Sequence, residues 1–141
     1  MTQHETDPEE ELRVLIQKVA RRIRAERAGE GISDSQLGVL WRLASDGRCT
    51  PGGLATAEKV SAPSMNRTLN ALEASGLVQR EPSDDDARKV WVTITPAGDH
   101  VITETRRLRQ QWFHAQLEAL SPEQRSALEE VRPILRRLAD A

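Results

Sequence analysis

The sequence predicts a mainly α-helical fold with one small β-hairpin, an α+β arrangement. Apolar residues recur at helical spacing near both ends of the chain, capping residues precede most of these segments, and residues 77–81 and 89–94 have the composition of two short strands. A length of 141 residues is typical of one structural domain. We divide it into residues 1–30, a tail and first helix; residues 31–95, a central region; and residues 96–141, the C-terminal helices.

The N-terminal part predicts two helices after an acidic tail without regular structure. The apolar stripe of the first helix consists of Leu12, Leu15, Ile16, Val19 and Ile23, and Gly29–Gly31 should interrupt it. Ser33 and Gln36 form a capping box that begins the second helix, and Gly47 ends it. The apolar residues of that second helix are Leu37, Leu40, Trp41 and Leu43.

The central region predicts two further helices joined by a tight turn. Thr50 and Pro51 introduce a short helix over 52–59, whose Leu54 and Ala55 should face inward, and Ser61 caps a helix over 62–75 that Gly76 ends. In that helix the large apolar residues Met65, Leu69 and Leu72 share one face. At 100° per residue the opposite face carries Pro63, Asn66, Arg67, Asn70 and Ala74. A buried helix would carry large apolar residues there.

The hairpin follows directly and leads into the C-terminal helices. Residues 83–88 form an acidic turn between the two strands. The sequence Thr95-Pro96-Ala97-Gly98 begins a long helix, and Ser121 and Gln124 cap the last one, which contains Pro133 and should be kinked there.

This order of elements is a winged helix-turn-helix, which indicates a DNA-binding regulator. Such proteins place one helix in the major groove and the hairpin, or wing, in the adjacent minor groove. Asparagine pairs with adenine, arginine pairs with guanine, and serine hydroxyls bind phosphates. The predicted contacts of the recognition helix are Ser61, Pro63, Ser64, Asn66, Arg67 and Asn70, and those of the wing are Asp86, Arg88 and Lys89. The simpler alternative is a solvated polar surface.

The charge balance is the strongest observation against nucleic-acid binding. The net charge is −2, and between Gly47 and Thr95 six cationic side chains are matched by six carboxylates. This balance leaves an alternative function open, that of a winged helix that binds another protein and not DNA. The objection would be answered if the fold placed the cations on one surface.

Three segments together resemble the MarR family of bacterial winged-helix regulators. They are Val60-Ser61-Ala62-Pro63-Ser64-Met65-Asn66-Arg67, Leu72-Glu73-Ala74-Ser75-Gly76-Leu77-Val78, and Asp86-Ala87-Arg88 followed by Val92-Thr93-Ile94-Thr95-Pro96-Ala97-Gly98. The resemblance implies a homodimer on a pseudo-palindromic operator, usually a repressor released by a small anionic or phenolic ligand or by oxidation. It also implies that Asp86 orients Arg88, and that an effector pocket includes Trp41 and Trp112, which are otherwise core or interface aromatics.

Cys49 leaves a thiol-based redox sensor open as an alternative function. The hydroperoxide-sensing branch of the family has its cysteine in the first helix with tyrosines nearby, whereas this chain has no Tyr and its one cysteine precedes the helix-turn-helix. We therefore favour an unreactive thiol. The sequence contains no hydrolytic triad, phosphate-binding glycine loop or metal-ligand spacing, so we predict no enzyme activity, cofactor or metal.

The ends of the chain predict self-association. The apolar stripes of the first helix and of the C-terminal helices would be exposed on a monomer, and a homodimer would cover them, so we interpret 1–30 and 96–141 as dimerisation segments. The acidic N-terminus does not resemble a signal peptide, and no apolar run is long enough to cross a membrane. We expect a cytoplasmic protein.

Overall fold

The computed structural model describes residues 7–141, so the first six residues of the predicted tail lie outside the described residues. Its elements are α1 (Pro8–Ala25), α2 (Asp34–Asp46), α3 (Pro51–Glu58), α4 (Ala62–Ala74), β1 (Val78–Pro82), β2 (Val90–Ile94), α5 (Pro96–Glu118) and α6 (Pro122–Ala139). The predicted fold class is confirmed. Two compact units are present: the residues up to Glu26 with Leu108–Ala141, and Arg27–Arg107. We call them the terminal unit and the central unit.

The helices begin where the capping residues predict. Thr50 and Ser61 accept a hydrogen bond from the backbone amide three residues later, as N-caps of α3 and α4. Ser33 and Ser121 each form a complete capping box with the glutamine three residues on. These local bonds explain why the helix starts could be predicted so closely.

Both strands begin one residue later than predicted, and for β1 the reason is that the Leu77 amide bonds back to α4. Gly76 has φ +73°, its amide donates to the Glu73 carbonyl, and the amide of Leu77 donates to the carbonyl of Leu72. This is a Schellman motif, which uses the Leu77 amide to close the helix. The antiparallel pairing therefore starts with Val78 opposite Ile94 and ends with Pro82 opposite Val90.

The hydrophobic core lies in the central unit. Leu40, Leu54 and Leu69 are fully buried, and β2 contributes Val92 at 0% exposure. The inward faces predicted for α3 and α4 are confirmed, because Leu54, Ala55, Met65, Leu69 and Leu72 are all buried. Val39, which the α2 stripe did not include, is buried as well.

The end of α4, the base of both strands and the start of α5 are hydrogen-bonded together around Gly76, Thr95 and Gly98, and we call this region the junction. The Thr95 hydroxyl donates to the carbonyl of Gly76 at 2.6 Å and accepts from the amide of Gly98 at 3.1 Å, while the Thr95 amide donates to the carbonyl of Leu77. Gly98 is buried at this point. The first turn of α5 thus fixes the end of the recognition helix to the base of the hairpin.

The terminal unit contrasts with the central one, since α1 and α6 bury no side chain completely. Arg109 donates from Nε to the carbonyl of Glu26 at 3.0 Å, at the C-terminal end of α1, and Arg22 stacks over the ring of Trp112. Helix α1 ends at Ala25, before the glycines expected to interrupt it, and α6 continues through Pro133.

The junction predicts a strong effect of Gly98→Ala on stability. A Cβ at position 98 would overlap the carbonyl oxygen of Leu77 and stand 2.6 Å from Cγ1 of Ile94, so the backbone must shift. We expect the free energy of unfolding, measured by urea denaturation, to fall by about 1–3 kcal/mol.

Gly52→Ala is the matched control, because a Cβ at position 52 of α3 meets no atom within 4 Å. We expect it to raise the free energy of unfolding by about 0.5–1 kcal/mol. A Gly98→Ala protein as stable as the wild type would show that the junction is not closely packed.

Candidate nucleic-acid interface

The outer face of α4 is exposed, as the sequence predicts. Asn66, Arg67 and Asn70 are all exposed, while Met65 and Leu69 on the opposite side are buried at 2% and 0% exposure. Of the remaining predicted contacts, Ser61 and Pro63 are exposed and Ser64 is half-buried. The structure therefore brings the six predicted residues of the recognition helix together, and all but Ser64 are exposed.

The start of α4 has few free amides for a phosphate. The Ser61 hydroxyl already accepts from the amide of Ser64 at 3.2 Å, and the amide of Met65 donates to the Ser61 carbonyl. Pro63 has no amide hydrogen. A phosphate at this helix start would depend on the hydroxyl groups of Ser61 and Ser64 more than on backbone amides.

The hairpin tip is shaped by Asp86. Its carboxylate oxygen Oδ1 accepts from the backbone amide of Arg88 at 3.0 Å, and its carbonyl accepts from the amide of Lys89 at 2.9 Å. This local turn is one that aspartate favours. Asp86 thus binds the main chain of Arg88, and the Arg88 side chain is exposed at the tip.

Lys89 lies in a cationic cluster that the sequence did not predict. Its Nζ is 4.5 Å from the ring centroid of Trp91, and the guanidinium of Arg48 is 4.3 Å from the same centroid. Lys89 and Trp91 are two apart in the strand predicted over 89–94, and this spacing could have indicated the pair. Arg48 could not be found this way, because the bridge between Cys49 and Val92 brings it to the strand.

Arg80 is a second residue near this surface that the sequence did not predict. From β1 its Nη2 donates to Oδ1 of Asn70 at 2.7 Å and to the carbonyl of Asn66 at 3.4 Å. Its backbone amide donates to Oε2 of Glu73 at 3.2 Å. Arg80 therefore connects the wing to three positions along one side of α4.

The neutral charge balance is not spread evenly over this surface. Glu58 pairs with Arg42 at 2.9 Å, and this hydrogen bond raises the pKa of Arg42 further above its ordinary value. Glu73 is bound by the Arg80 amide. Glu73 stays exposed on the same side of α4 as Asn66 and Asn70, so this helix presents both Arg67 and a carboxylate to solvent, and Glu81 is exposed on β1. Asp84, Asp85 and Asp86 remain at the hairpin tip beside Arg88.

The two tryptophans of the predicted effector pocket belong to different units. Trp41 lies in the central unit with the guanidinium of Arg106 at 5.2 Å from its ring centroid, and Trp112 lies in the terminal unit beneath Arg22 at 5.1 Å. Both rings are half-buried. Their role in binding an effector stays a prediction.

Cys49 is half-buried beside β2. Its Sγ donates to the carbonyl of Gly47 at 3.4 Å, and its main chain pairs with Val92. Burial raises the pKa of the thiol and the nearby Asp46 raises it further, while Arg42 opposes them. Because the thiolate is the reactive form, this environment favours an unreactive cysteine.

Residues 7–141 contain no group of three or more His, Cys, Asp or Glu side chains placed to hold a metal ion. No helix in the same range is both long and apolar enough to span a membrane.

Comparison with known proteins agrees with this architecture. The sequence model of the MarR family matches residues 32–90, from the start of α2 into β2. An uncharacterised HTH-type transcriptional regulator of Mycobacterium leprae is 35% identical over 130 residues, which cover 92% of this chain and 91% of that one. The chain belongs to the MarR family. It is a MarR-type transcriptional regulator with a winged helix-turn-helix.

Solved structures show the same fold. A transcriptional regulator protein from Pseudomonas aeruginosa is similar with a TM-score of 0.82 and 29% identity, covering 93% of both chains. A mutant MarR from E. coli complexed with operator DNA has a TM-score of 0.63 and 24% identity, covering 90% of this chain and 89% of that one. At 24% identity, the similarity to the E. coli protein shows a shared fold and nothing more.

The surroundings of Cys49 predict slow alkylation. Since burial raises the thiol pKa, we expect iodoacetamide at neutral pH to label the native MarR-type regulator several-fold more slowly than the chain unfolded in urea. The native rate should increase as the pH rises toward the raised pKa. Mass spectrometry measures both rates at a single site, because the chain has one cysteine.

Mild peroxide provides the complementary measurement. We expect no disulfide-linked dimer on non-reducing electrophoresis. A dimer band that Cys49→Ser abolishes, or labelling as fast in the native protein as in the unfolded one, would favour the redox-sensor alternative.

Proposed function

We propose that this MarR-type regulator binds duplex DNA sequence-specifically as a homodimer and acts as a repressor. Asn66, Arg67 and Asn70 contact bases in the major groove, Ser61, Pro63 and Ser64 lie against the backbone at the start of the recognition helix, and Arg88 enters the minor groove. Asp86 positions Arg88, and Lys89 approaches a phosphate.

The observation that carries this proposal is the combination of an exposed polar helix face with an arginine-tipped hairpin. Hydrogen-bonding side chains occupy the outer face of α4, where a core-facing helix would carry large apolar residues. Arg88 is exposed at a tip that the Asp86 turn shapes. An inserted guanidinium gains from the negative potential of a narrow minor groove.

The homodimer is supported by the terminal unit. Leu12, Ile134 and Leu138 are 58–60% exposed, and a groove of about 320 Å³ is lined by Leu12, Ile16 and Leu138 with polar side chains around them. Soluble monomers seldom expose contiguous apolar surface of this kind. A second copy would cover it and would place two recognition helices about one DNA turn apart, as a pseudo-palindrome requires.

The regulatory part of the proposal rests on family membership. We infer repression that a small anionic or phenolic effector relieves, with Trp41 and Trp112 as the residues to test for effector binding. Because its operator is genomic DNA, we place the protein in the cytoplasm.

Selection of bound fragments from sheared genomic DNA at two salt concentrations tests the function. We expect the purified wild type to enrich a pseudo-palindrome, and Arg67→Ala and Arg88→Ala to lose this enrichment. Binding should weaken steeply with salt, because neutralised phosphates release counterions. Arg107→Ala is the charge-matched control: this exposed arginine pairs with Glu104 on its own helix α5 and is not among the proposed DNA contacts, so enrichment should persist.

Individual duplexes separate the roles of the residues. Arg88→Ala should weaken binding to most sequences, whereas Asn66→Ala should change the preference among them. Absence of enrichment at either salt would contradict the proposal and favour a protein-interaction module. Equal losses on every duplex for both variants would contradict the division between grooves.

A further inference from the structure

The bond between Arg80 and Asn70 has a consequence for base recognition, provided that the proposed DNA binding is correct. Arg80 lies on β1 opposite Val92, and its side chain reaches α4, where Nη2 is 2.7 Å from Oδ1 of Asn70. The Nε atom of Arg80 is buried and has no hydrogen-bond partner among residues 7–141. This burial distinguishes Arg80 from an arginine free to extend toward a phosphate.

The chemistry of the guanidinium fixes the orientation of the amide. Arginine has hydrogen-bond donors only, so the Asn70 atom that faces it must be the carbonyl oxygen. A hydrogen bond from a cation is roughly twice as strong as one between neutral groups. Rotation of the Asn70 amide would place two sets of donors against each other and leave the guanidinium without this acceptor.

The fixed orientation changes what Asn70 offers to DNA. An asparagine pairs with adenine through both amide atoms: its oxygen accepts from the N6 amino group and its nitrogen donates to N7. In this protein the oxygen is already bonded to a cation, which makes it a weaker acceptor for a second donor and polarises the Nδ2 hydrogens. Asn70 thus faces the major groove chiefly as a donor.

We propose that Arg80 is a positioning residue that sets the base preference of Asn70, directing it to guanine in place of adenine. Guanine presents two acceptors in the major groove, N7 and O6, whereas adenine presents one acceptor and one donor. A side chain that offers mainly donors matches the guanine edge. Without Arg80 the amide regains both functions and matches adenine.

Base-substituted operators test this inference. Fluorescence anisotropy with the four base pairs at each half-site position gives the preference of the wild type, Asn70→Ala, Arg80→Met and the double variant. Asn70→Ala identifies the position that Asn70 contacts, because the base preference is lost there.

At that position we expect the wild type to favour guanine over adenine by about 5- to 10-fold, the lower part of the range for a good base contact. Arg80→Met should reverse the preference, and the double variant should match Asn70→Ala.

Two further variants act as controls. Arg80→Lys keeps a positive charge and one donor for the Asn70 oxygen, so it should retain the preference for guanine even if Arg80→Met proves unstable. Arg107→Met removes a charge elsewhere in the central unit and should leave the preference unchanged. Unchanged preference in Arg80→Met, an equal affinity loss on all duplexes, or no flattening in Asn70→Ala would overturn the inference.

A measurement without DNA separates this inference from the proposed function. In the free protein, Arg80→Met should shift the side-chain NH₂ signal of Asn70 in a ¹H–¹⁵N NMR spectrum more than that of Asn66, whose side chain is not bonded to Arg80. If this shift is observed but the wild type shows no sequence-selective binding, the bond is present and the proposed DNA-binding function is contradicted. Selective binding with no shift would contradict the Arg80 inference alone.

Discussion

The junction at the end of α4 is the constraint on which the candidate interface depends. The Schellman turn at Gly76, the two hydrogen bonds of the Thr95 hydroxyl and the closely packed Gly98 hold the end of the recognition helix, the base of both strands and the start of α5 together. Because the hairpin leaves this junction in a fixed register, β1 runs beside α4. That placement puts Arg80 within reach of Asn70 and carries Arg88 to the free end of the wing.

The same placement organises the charges of a nearly neutral region. Glu58 is paired with Arg42, whereas Glu73 accepts only from the neutral backbone amide of Arg80 among the contacts described, so one exposed carboxylate lies on the outer face of α4. Arg67 and the two asparagines remain there, and Arg88 remains at the tip despite three neighbouring aspartates. Affinity for DNA in this protein must therefore come from placed side chains more than from a basic surface.

Local sequence rules predicted much of the fold and part of the site. N-cap residues and helical spacing gave the helix starts and the exposed face of α4, because both depend on neighbours within four residues. The Arg80–Asn70 bond could not be predicted in this way. Leu77 and Val78 are consecutive apolar residues, so alternation alone does not decide whether Arg80 or Gln79 faces α4; the Schellman turn decides it by burying Leu77 outside the strand. The cluster at Trp91 likewise depends on a backbone bridge between residues distant in sequence.

Methylation protection tests the central claim most directly. In this experiment the bound protein shields bases of an enriched operator from dimethyl sulfate, which methylates guanine N7 in the major groove and adenine N3 in the minor groove. A homodimer that places α4 and Arg88 as proposed should protect guanine N7 in two patches about 10 bp apart, each beside protected adenine N3 atoms. Arg88→Ala should lose the minor-groove protection first. A single protected patch, or protection confined to one groove in the wild type, would contradict the account.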